Sequence, residues 1–516
     1  MSDPFTLSVI QAGLDTAADE MFEVLRKTAM SPIIYEVLDV GTGVTDATGA
    51  LVSSGAGIPS FVGVLDKAVS AIVAIVGSQI EKGDVFIVND PNFGGVTHLN
   101  DFVLAEPVFH DGVCAAWVAS IAHWGDIGGR TPGSMAVDVT EIFAEGLRLP
   151  VVHLFKQGER VEAVFDIISA NSRLPEFVTG DLWAQVSAGR RAAGVIRNLC
   201  DRFGADTLAD AIEDARKTGE KRARAGLTRL PRGRFSISEP QDNGEKWVVS
   251  IKISNDRFIV DLRDAPDESQ GPYNTSRDGA IIACQMFFKA LTDPDRFANA
   301  GSFAPLEVLT RKGTIFDPGL TAPHGYYFET RIRLFDLLWH CLAQQLPDFL
   351  PAGHFATIFG TVVAGIHPQT GRRYTMVEPQ MGGWGATCDR PGVDAMYSTS
   401  HGDTFNCPVE IAETRYGVEV IGKSLNIAPE IKGQHRGGHG VNTIYQVLAP
   451  ATVSVGYSHG QVPVWSLPGG ALGGLNRLTI ESPNGEREIY QFASGLQLIP
   501  GDKIEISTAW GGSAIQ

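Results

Sequence analysis

The sequence predicts a mixed α/β protein of the α+β kind, folded in several layers, with glycine-rich β regions. Three observations predict it. Apolar residues recur at helical spacing in 6–29, 60–80, 176–227, 276–292 and 328–346. Between them lie short runs of period two, bounded by polar or glycine turns. Glycine, 58 of 516 residues, gathers in 41–63, 94–133 and 382–474, where turns and close backbone approaches dominate.

In order, TLSVIQAGLDTAADEMFEVLRKTA at 6–29 forms the first helix, with Thr6 or Ser8 as cap and Ile10, Leu14, Met21, Val24 and Leu25 on one face. Turn-rich, strand-like sequence runs to residue 59. A second helix at 60–80 carries Val64, Ala68, Ala71 and Ile75 on its apolar face. Gly83-Asp84 then turns into the strand VFIVN, and 86–133 are strands and glycine loops. Residues 176–227 are helical, with a break near Gly204. FSISE, KWVVSIKIS and DRFIVDLRDA follow as a β-meander. The helices at 276–292 and 328–346 complete the regular part, and short strands with Gly-Gly turns close the chain. No internal repeat is evident. Three regions result: 1–230, an N-terminal α/β region expected to hold the chemistry; 231–324, the meander and a helical segment; and 325–516, a glycine-rich α+β region packed on the first.

The composition, 44% hydrophobic and 20% charged, describes a soluble chain with room for a large core. A net charge of −17 argues against nucleic acid, because phosphate neutralisation needs clustered Lys and Arg. The one basic run, RKTGEKRARAGLTRLPRGR at 216–234, reads as a solvated helix end or a subunit contact. The longest apolar stretch, SAIVAIVG at 70–77, falls short of a membrane span. MSDPFTLSVIQAG lacks the basic and apolar segments of a signal peptide. Cys114, Cys200, Cys284, Cys341, Cys388 and Cys407 form no C-x-x-C pair and read as reduced structural thiols. These features predict a cytoplasmic protein without membrane or nucleic-acid partners.

GVEVIGKS at 417–424 matches the letters of a phosphate-binding loop. Such a loop needs a strand before it and a helix after it, so that a helix N-terminus points at the phosphates. Here Val418, Glu419, Val420 and Ile421 alternate as a strand, and Pro429 arrives too soon for a useful helix. The stretch reads as a strand ending in a turn, with Lys423 solvated.

The chemistry-bearing stretch is 89–135, which contains H-x-x-D twice: His98 with Asp101, and His123 with Asp126. FVLAEPVF and VCAAWVASIA are strand-like, and Asp111-Gly112 between them signals a hairpin. Folding about Asp111 places His98 beside Trp124 and Asp101 beside Ile121, and brings both pairs to the open end. Two imidazoles and up to two carboxylates in one volume suit a divalent metal, Zn, Mn or Fe, with positions left for water or substrate. The opposing reading is a set of satisfied polar residues near a turn, which for any single histidine would win. An iron oxygenase triad ordinarily reads H-x-D/E rather than H-x-x-D. A serine or cysteine hydrolase lacks support, because there is no G-x-S-x-G and no activated thiolate setting.

At these residues the chain resembles the hydantoinase B/oxoprolinase family (the HyuB type), nearly end to end. The anchors are NDPNFGGVTHLND, AHWGDIGGRTPGSM, TEIFAEGLRLP, GPYNTSRDGA, FETRIRLFD, NCPVEIAETRYG and HRGGHGV. The resemblance implies a HyuB-like fold and a hydrolase acting on the C–N bond of a cyclic amide of the hydantoin, lactam or oxoproline type. It implies a HyuA-type ATPase subunit as partner, which binds ATP and phosphorylates the small-molecule substrate, in an A2B2 or larger hetero-oligomer. ATP then belongs to the partner. The resemblance implies a divalent metal, Zn or Mn, held by His98, Asp101 and His123, with Asp39 of YEVLDVGTG as fourth ligand. Asp126 would support the ligands or accept a proton from the metal's water. Glu141, Glu145 and Arg148 would orient substrate or ligands, or else form ion pairs inside the fold. HGDTFN at 401–406 departs from the relatives, so Asp403, Phe405 and Trp384 are expected to shape a different pocket. The alternative implied activity is that of a ketone (acetone or acetophenone type) carboxylase; the counterparts there are much longer chains, which favours the hydrolase. A non-enzymatic scaffold for the ATPase subunit is disfavoured by the intact ligand set.

Overall fold

The computed structural model describes residues 3–294, 298–402 and 404–515. Eight helices matter to the site: α1 (Pro4–Thr28), α2 (Pro32–Tyr35), α3 (Pro59–Val76), α4 (Glu162–Ala170), α5 (Pro175–Phe203), α6 (Ala205–Leu227), α7 (Arg277–Thr292) and α8 (Tyr327–Ala343). The first large sheet comprises β1 (Val40–Asp46), β2 (Leu51–Gly57), β3 (Val85–Val88), β4 (Asp101–His110), β5 (Val113–His123), β6 (Val152–Lys156) and β7 (Glu159–Arg160). Its order is β2-β1-β5-β4-β3-β6-β7, antiparallel throughout.

Both faces of this sheet are covered. Phe102, Leu104, Ala116, Val118 and Ala122 join α1 and α5 in one apolar cluster. Val103, Ala105, Trp117, Ala119 and Ile121, one residue out of phase, join α3 in another. The period-two alternation of a strand therefore splits FVLA and AWVASIA between two helical layers, which is why both read as continuous apolar runs.

The helices differ from expectation at their ends. Asp3, rather than Thr6 or Ser8, caps α1: its carboxylate accepts from Phe5 N and Thr6 N at 3.1 Å each. Pro4 at the first helical position suits this start, since its missing N–H needs no partner. Gly204 (φ 84°) separates α5 from α6. The segment Pro59–Gln79 is long and apolar enough to cross a membrane by length and composition, which SAIVAIVG alone did not suggest. Asp66 and Lys67 break that run in the sequence, but they pair with each other at 2.7 Å. Phe61, Val64, Leu65, Ala68 and Ile72 are spent on covering the sheet.

The meander forms as β8 (Gly233–Pro240), β9 (Lys246–Ile253) and β10 (Phe258–Asp261), with β11 (Leu306–Leu309) added in parallel to β10. This sheet, α7 and α8 share a second core that includes Phe287, Leu338 and Trp465. A two-stranded sheet, Gln434–His435 with Ala514–Ile515, and two larger ones build the C-terminal region. One orders Arg373–Glu378, Thr361–Ile366, Ala451–Gly456 and Phe492–Leu498; the other contains Val418–Asn426. GVEVIGKS is thus strand, bulged between Val420 and Gly422. Lys423 is exposed, as expected, with its Nζ 3.9 Å from buried Glu378. In the glycine-rich part, a Cβ on Gly383 would meet Gly438 O at 2.0 Å and Gly511 N at 2.6 Å, so three backbone segments touch there directly. One apolar cluster runs from Ile10 through Ile332 to Ile506, so regions 1–230 and 325–516 share a core.

Candidate metal centre

The hairpin between β4 and β5 turns at Asp111 (φ 48°) and Gly112 (φ 80°), the left-handed pair that an Asp-Gly turn requires. Its register corrects the sequence expectation. The turn pairs His110 with Val113, and a bulge between Val108 and Phe109 adds a further step, so Asp101 lies opposite His123 rather than Ile121. The two steps together preserve the face of each side chain and slide the second histidine onto the first H-x-x-D pair.

His98 Nε2, Asp101 Oδ1 and His123 Nδ1 form a triangle with edges of 3.1, 3.1 and 3.2 Å. All three residues are buried. Bonds of about 2.0–2.1 Å to one ion would set such atoms roughly 3.0–3.4 Å apart, the size of this triangle. Hydrogen bonding from a neutral His98 ring does not account for it. His98 Nδ1 lies 2.9 Å from the Gly325 carbonyl, which only accepts, so Nδ1 carries the proton. In its neutral form the ring then aims the Nε2 lone pair at a carboxylate oxygen. Two acceptors face each other, and a cation between them, proton or metal, removes the conflict. The donor set, two imidazoles and a carboxylate, fits a borderline divalent ion.

The electrostatics follow from the same contacts. Burial works against a charged Asp101, yet the His98 and His123 rings hold its carboxyl well below the usual range. Burial likewise disfavours a charged His98, and the Asp101 carboxylate overrides it and raises the ring's pKa. Asp39 borders the triangle without closing it, its Oδ2 3.9 Å from His123 Nδ1. Burial pushes its pKa up to about 6, against the pull of His123. The Tyr327 hydroxyl donates to Asp101 Oδ2 at 3.2 Å and fixes the carboxylate's second oxygen. The cavity around the triangle is half open, with an accessible volume of about 40 Å³. Ile33, Ile58, Phe61, Met135 and Phe328 form apolar walls, and Arg331 and His401 add polar ones.

The family model described as hydantoinase B/oxoprolinase matches residues 3–514. The chain belongs to the hydantoinase B/oxoprolinase family. It is 29% identical to the beta chain of the caprolactamase of Pseudomonas jessenii, over 99% of this chain and 90% of that one. It is 28% identical to the B component of a putative D-/L-hydantoinase of Pseudomonas sp., over 96% of this chain and 86% of that one. The crystal structure of ATP-dependent caprolactamase from Pseudomonas jessenii superimposes with a TM-score of 0.91 at 25% identity, covering 99% of this chain and 91% of that one. Nucleotide-free acetone carboxylase shares the fold, with a TM-score of 0.87 at 16% identity, over 99% of this chain and 75% of that one.

The other residues singled out in this hydantoinase B-family sequence take different places. Glu145 is buried, and its carboxylate accepts from His324 N at 2.8 and 3.0 Å and from Gly325 N at 2.5 Å. Since the Gly325 carbonyl holds His98, Glu145 acts on the triangle through one residue, Gly325. Burial pushes its pKa up to about 7, against those two backbone donors. Asp126 is not brought to the cavity. Its oxygens accept from Gly128 N, Gly133 N and Arg173 N at 3.1, 2.9 and 2.9 Å and from Arg173 Nη1 at 3.0 Å, so it ties a loop together. Arg148 also faces elsewhere, with Nε 2.6 Å and Nη2 3.2 Å from Asp90. Glu141 is exposed. Phe405 is exposed, and Trp384 donates to Tyr397 O at 2.8 Å away from the cavity. Asp403 lies outside the described residues. Sequence reasoning missed Tyr327, Arg331 and His401. The first two stand at i and i+4 on α8, a spacing that signals a shared face without saying that the face is buried.

Proposed function

We propose that this chain is the metal-dependent subunit of an ATP-dependent hydrolase that opens a cyclic amide, after a HyuA-type ATPase subunit has phosphorylated the substrate. The observation that carries the reading is the buried His98–Asp101–His123 triangle, whose facing acceptors call for a cation. The family and the names of the relatives, subunits of a caprolactamase and of a putative hydantoinase, support the substrate class and a multi-subunit assembly, here A2B2 or larger. Asp39 is the fourth ligand in this reading, facing the open side of the triangle.

A divalent ion bound here supplies Lewis-acid polarisation and lowers the pKa of water. The chain's own groups do the rest. Gly325 O and Tyr327 orient His98 and Asp101, and Glu145 holds the 324–325 peptide against them. The apolar walls exclude bulk water, which strengthens every charge interaction inside. A ring amide is a poor electrophile; phosphorylation of its oxygen makes that oxygen a leaving group. Water adds at the ring carbon, the ring C–N bond breaks with a proton passing to nitrogen, and the phosphoryl group departs as orthophosphate with uptake of a further water.

The test is phosphate release by the chain reconstituted with its ATPase partner, offered cyclic amides and ketones with and without bicarbonate. Release driven by a cyclic amide without bicarbonate, with ring-opened product, is expected. Release that requires both ketone and bicarbonate would transfer the chain to the carboxylases, whose fold it shares.

A further inference from the structure

Arg331 is among the largest fully buried side chains, 1% exposed, and it lines the cavity that holds the triangle. Its Nε has no hydrogen-bond partner, and its Nη1 makes only a 3.5 Å contact with the Tyr327 hydroxyl. No carboxylate pairs with it among the described residues, whereas buried Arg333, two residues along the same helix, pairs with both Asp336 and Glu239. The guanidinium carbon sits 4.9 Å from the centre of the Tyr327 ring, which fixes the plane of the group without neutralising it. His401 Nε2, lining the same cavity, is also without a partner.

Burying an unpaired guanidinium is costly, and a fold keeps one where a ligand completes it. The chemistry of the group shows which ligand. Asp39 lines the same cavity without forming an ion pair with Arg331, so the guanidinium has no carboxylate of its own among the described residues, and a neutral ring amide supplies no negative charge to it. We propose that Arg331 is the receptor for a tetrahedral oxyanion, the phosphoryl group carried by the activated substrate and then left behind as orthophosphate. Its fork of N–H donors matches two phosphoryl oxygens, and His401 stands beside it as a further contact. This identification of the ligand rests on the function proposed above, but an oxyanion site at Arg331 can be measured without turnover.

The experiment titrates inorganic phosphate into the metal-loaded chain by calorimetry, for wild type, Arg331→Lys and Arg331→Gln, with metal content and melting temperature recorded for each. Saturable binding by wild type is expected, weakened about tenfold or more in Arg331→Gln and less in Arg331→Lys, which keeps the charge and loses the fork. Unchanged binding in a folded, metal-loaded Arg331→Gln overturns the proposal, as does the absence of phosphate binding by wild type. If Arg331→Gln does not fold, wild-type crystals grown with inorganic phosphate decide: an anion touching Arg331 upholds the site, and an anion elsewhere or none overturns it. Arg331-dependent phosphate binding in a chain that opens no cyclic amide would uphold the anion site and remove the proposed reaction. Ring opening with phosphate binding indifferent to Arg331 would do the opposite.

Discussion

Replacing Glu145 with alanine tests whether one buried carboxylate controls the triangle from behind. The carboxylate accepts from His324 N and Gly325 N, both in the interior. Removing it leaves two buried N–H groups unpaired, at about 1–3 kcal/mol each, or roughly 2–6 kcal/mol of stability. The larger consequence is positional. The Gly325 carbonyl that holds His98 Nδ1 at 2.9 Å belongs to the peptide chain Glu145 anchors. Loss of such outer support typically weakens metal binding about 10–100-fold, or about 1.4–2.8 kcal/mol. Isothermal titration with zinc and with manganese, beside thermal melts, reads both effects. A metal Kd within about threefold of wild type in a folded Glu145→Ala protein would refute the coupling through Gly325, since that is below half of the smallest loss expected.

Asp101→Asn should lower bound metal from one ion per chain to almost none while the fold persists, because the amide keeps the shape and removes the charge; full metal content by mass spectrometry would contradict the ligand assignment. Glu329→Gln should change the pH dependence of stability. Burial pushes Glu329 up to about 7, against hydrogen bonds from Thr357, Ser458 and the 358 amide. A raised folded-state pKa gives stability that is intact below the unfolded value of about 4.5 and lost as pH rises to about 7. The loss is about 3 kcal/mol for this gap. The variant should therefore melt higher than wild type at pH 8, with the advantage fading towards pH 5; a pH-independent difference would be the contrary result. Lys423→Met should leave ATP turnover of the reconstituted complex intact, because Lys423 sits in a strand near Glu378; loss of turnover there would return GVEVIGKS to the nucleotide site.

The sequence by itself determined the long helices, the Asp-Gly hairpin and three of the residues at the cavity's charged end. These are local facts. A helix face is set by spacing along one segment, and a two-residue turn by the left-handed tolerance of Asp111 and Gly112. The family is legible in short strings such as NDPNFGGVTHLND, without geometry. Tertiary structure decided the rest. The register of β4 on β5 depended on a bulge at Ala115, opposite the Val108–Phe109 step, that no composition signals, and that bulge helped place Asp101 against His123. Asp126 looked like Asp101's counterpart in sequence, yet Arg173, forty-odd residues away, claims its carboxylate. Arg148 was claimed by Asp90 in the same way. Conversely, Arg331 has the pattern of any charged residue on a helix, and only the placement of the first turns of α8 beside the His98–Asp101–His123 cavity buries it unpaired. Partnership between charges is a property of distance in space, and the chain's order along one dimension carries no record of which partner arrives first.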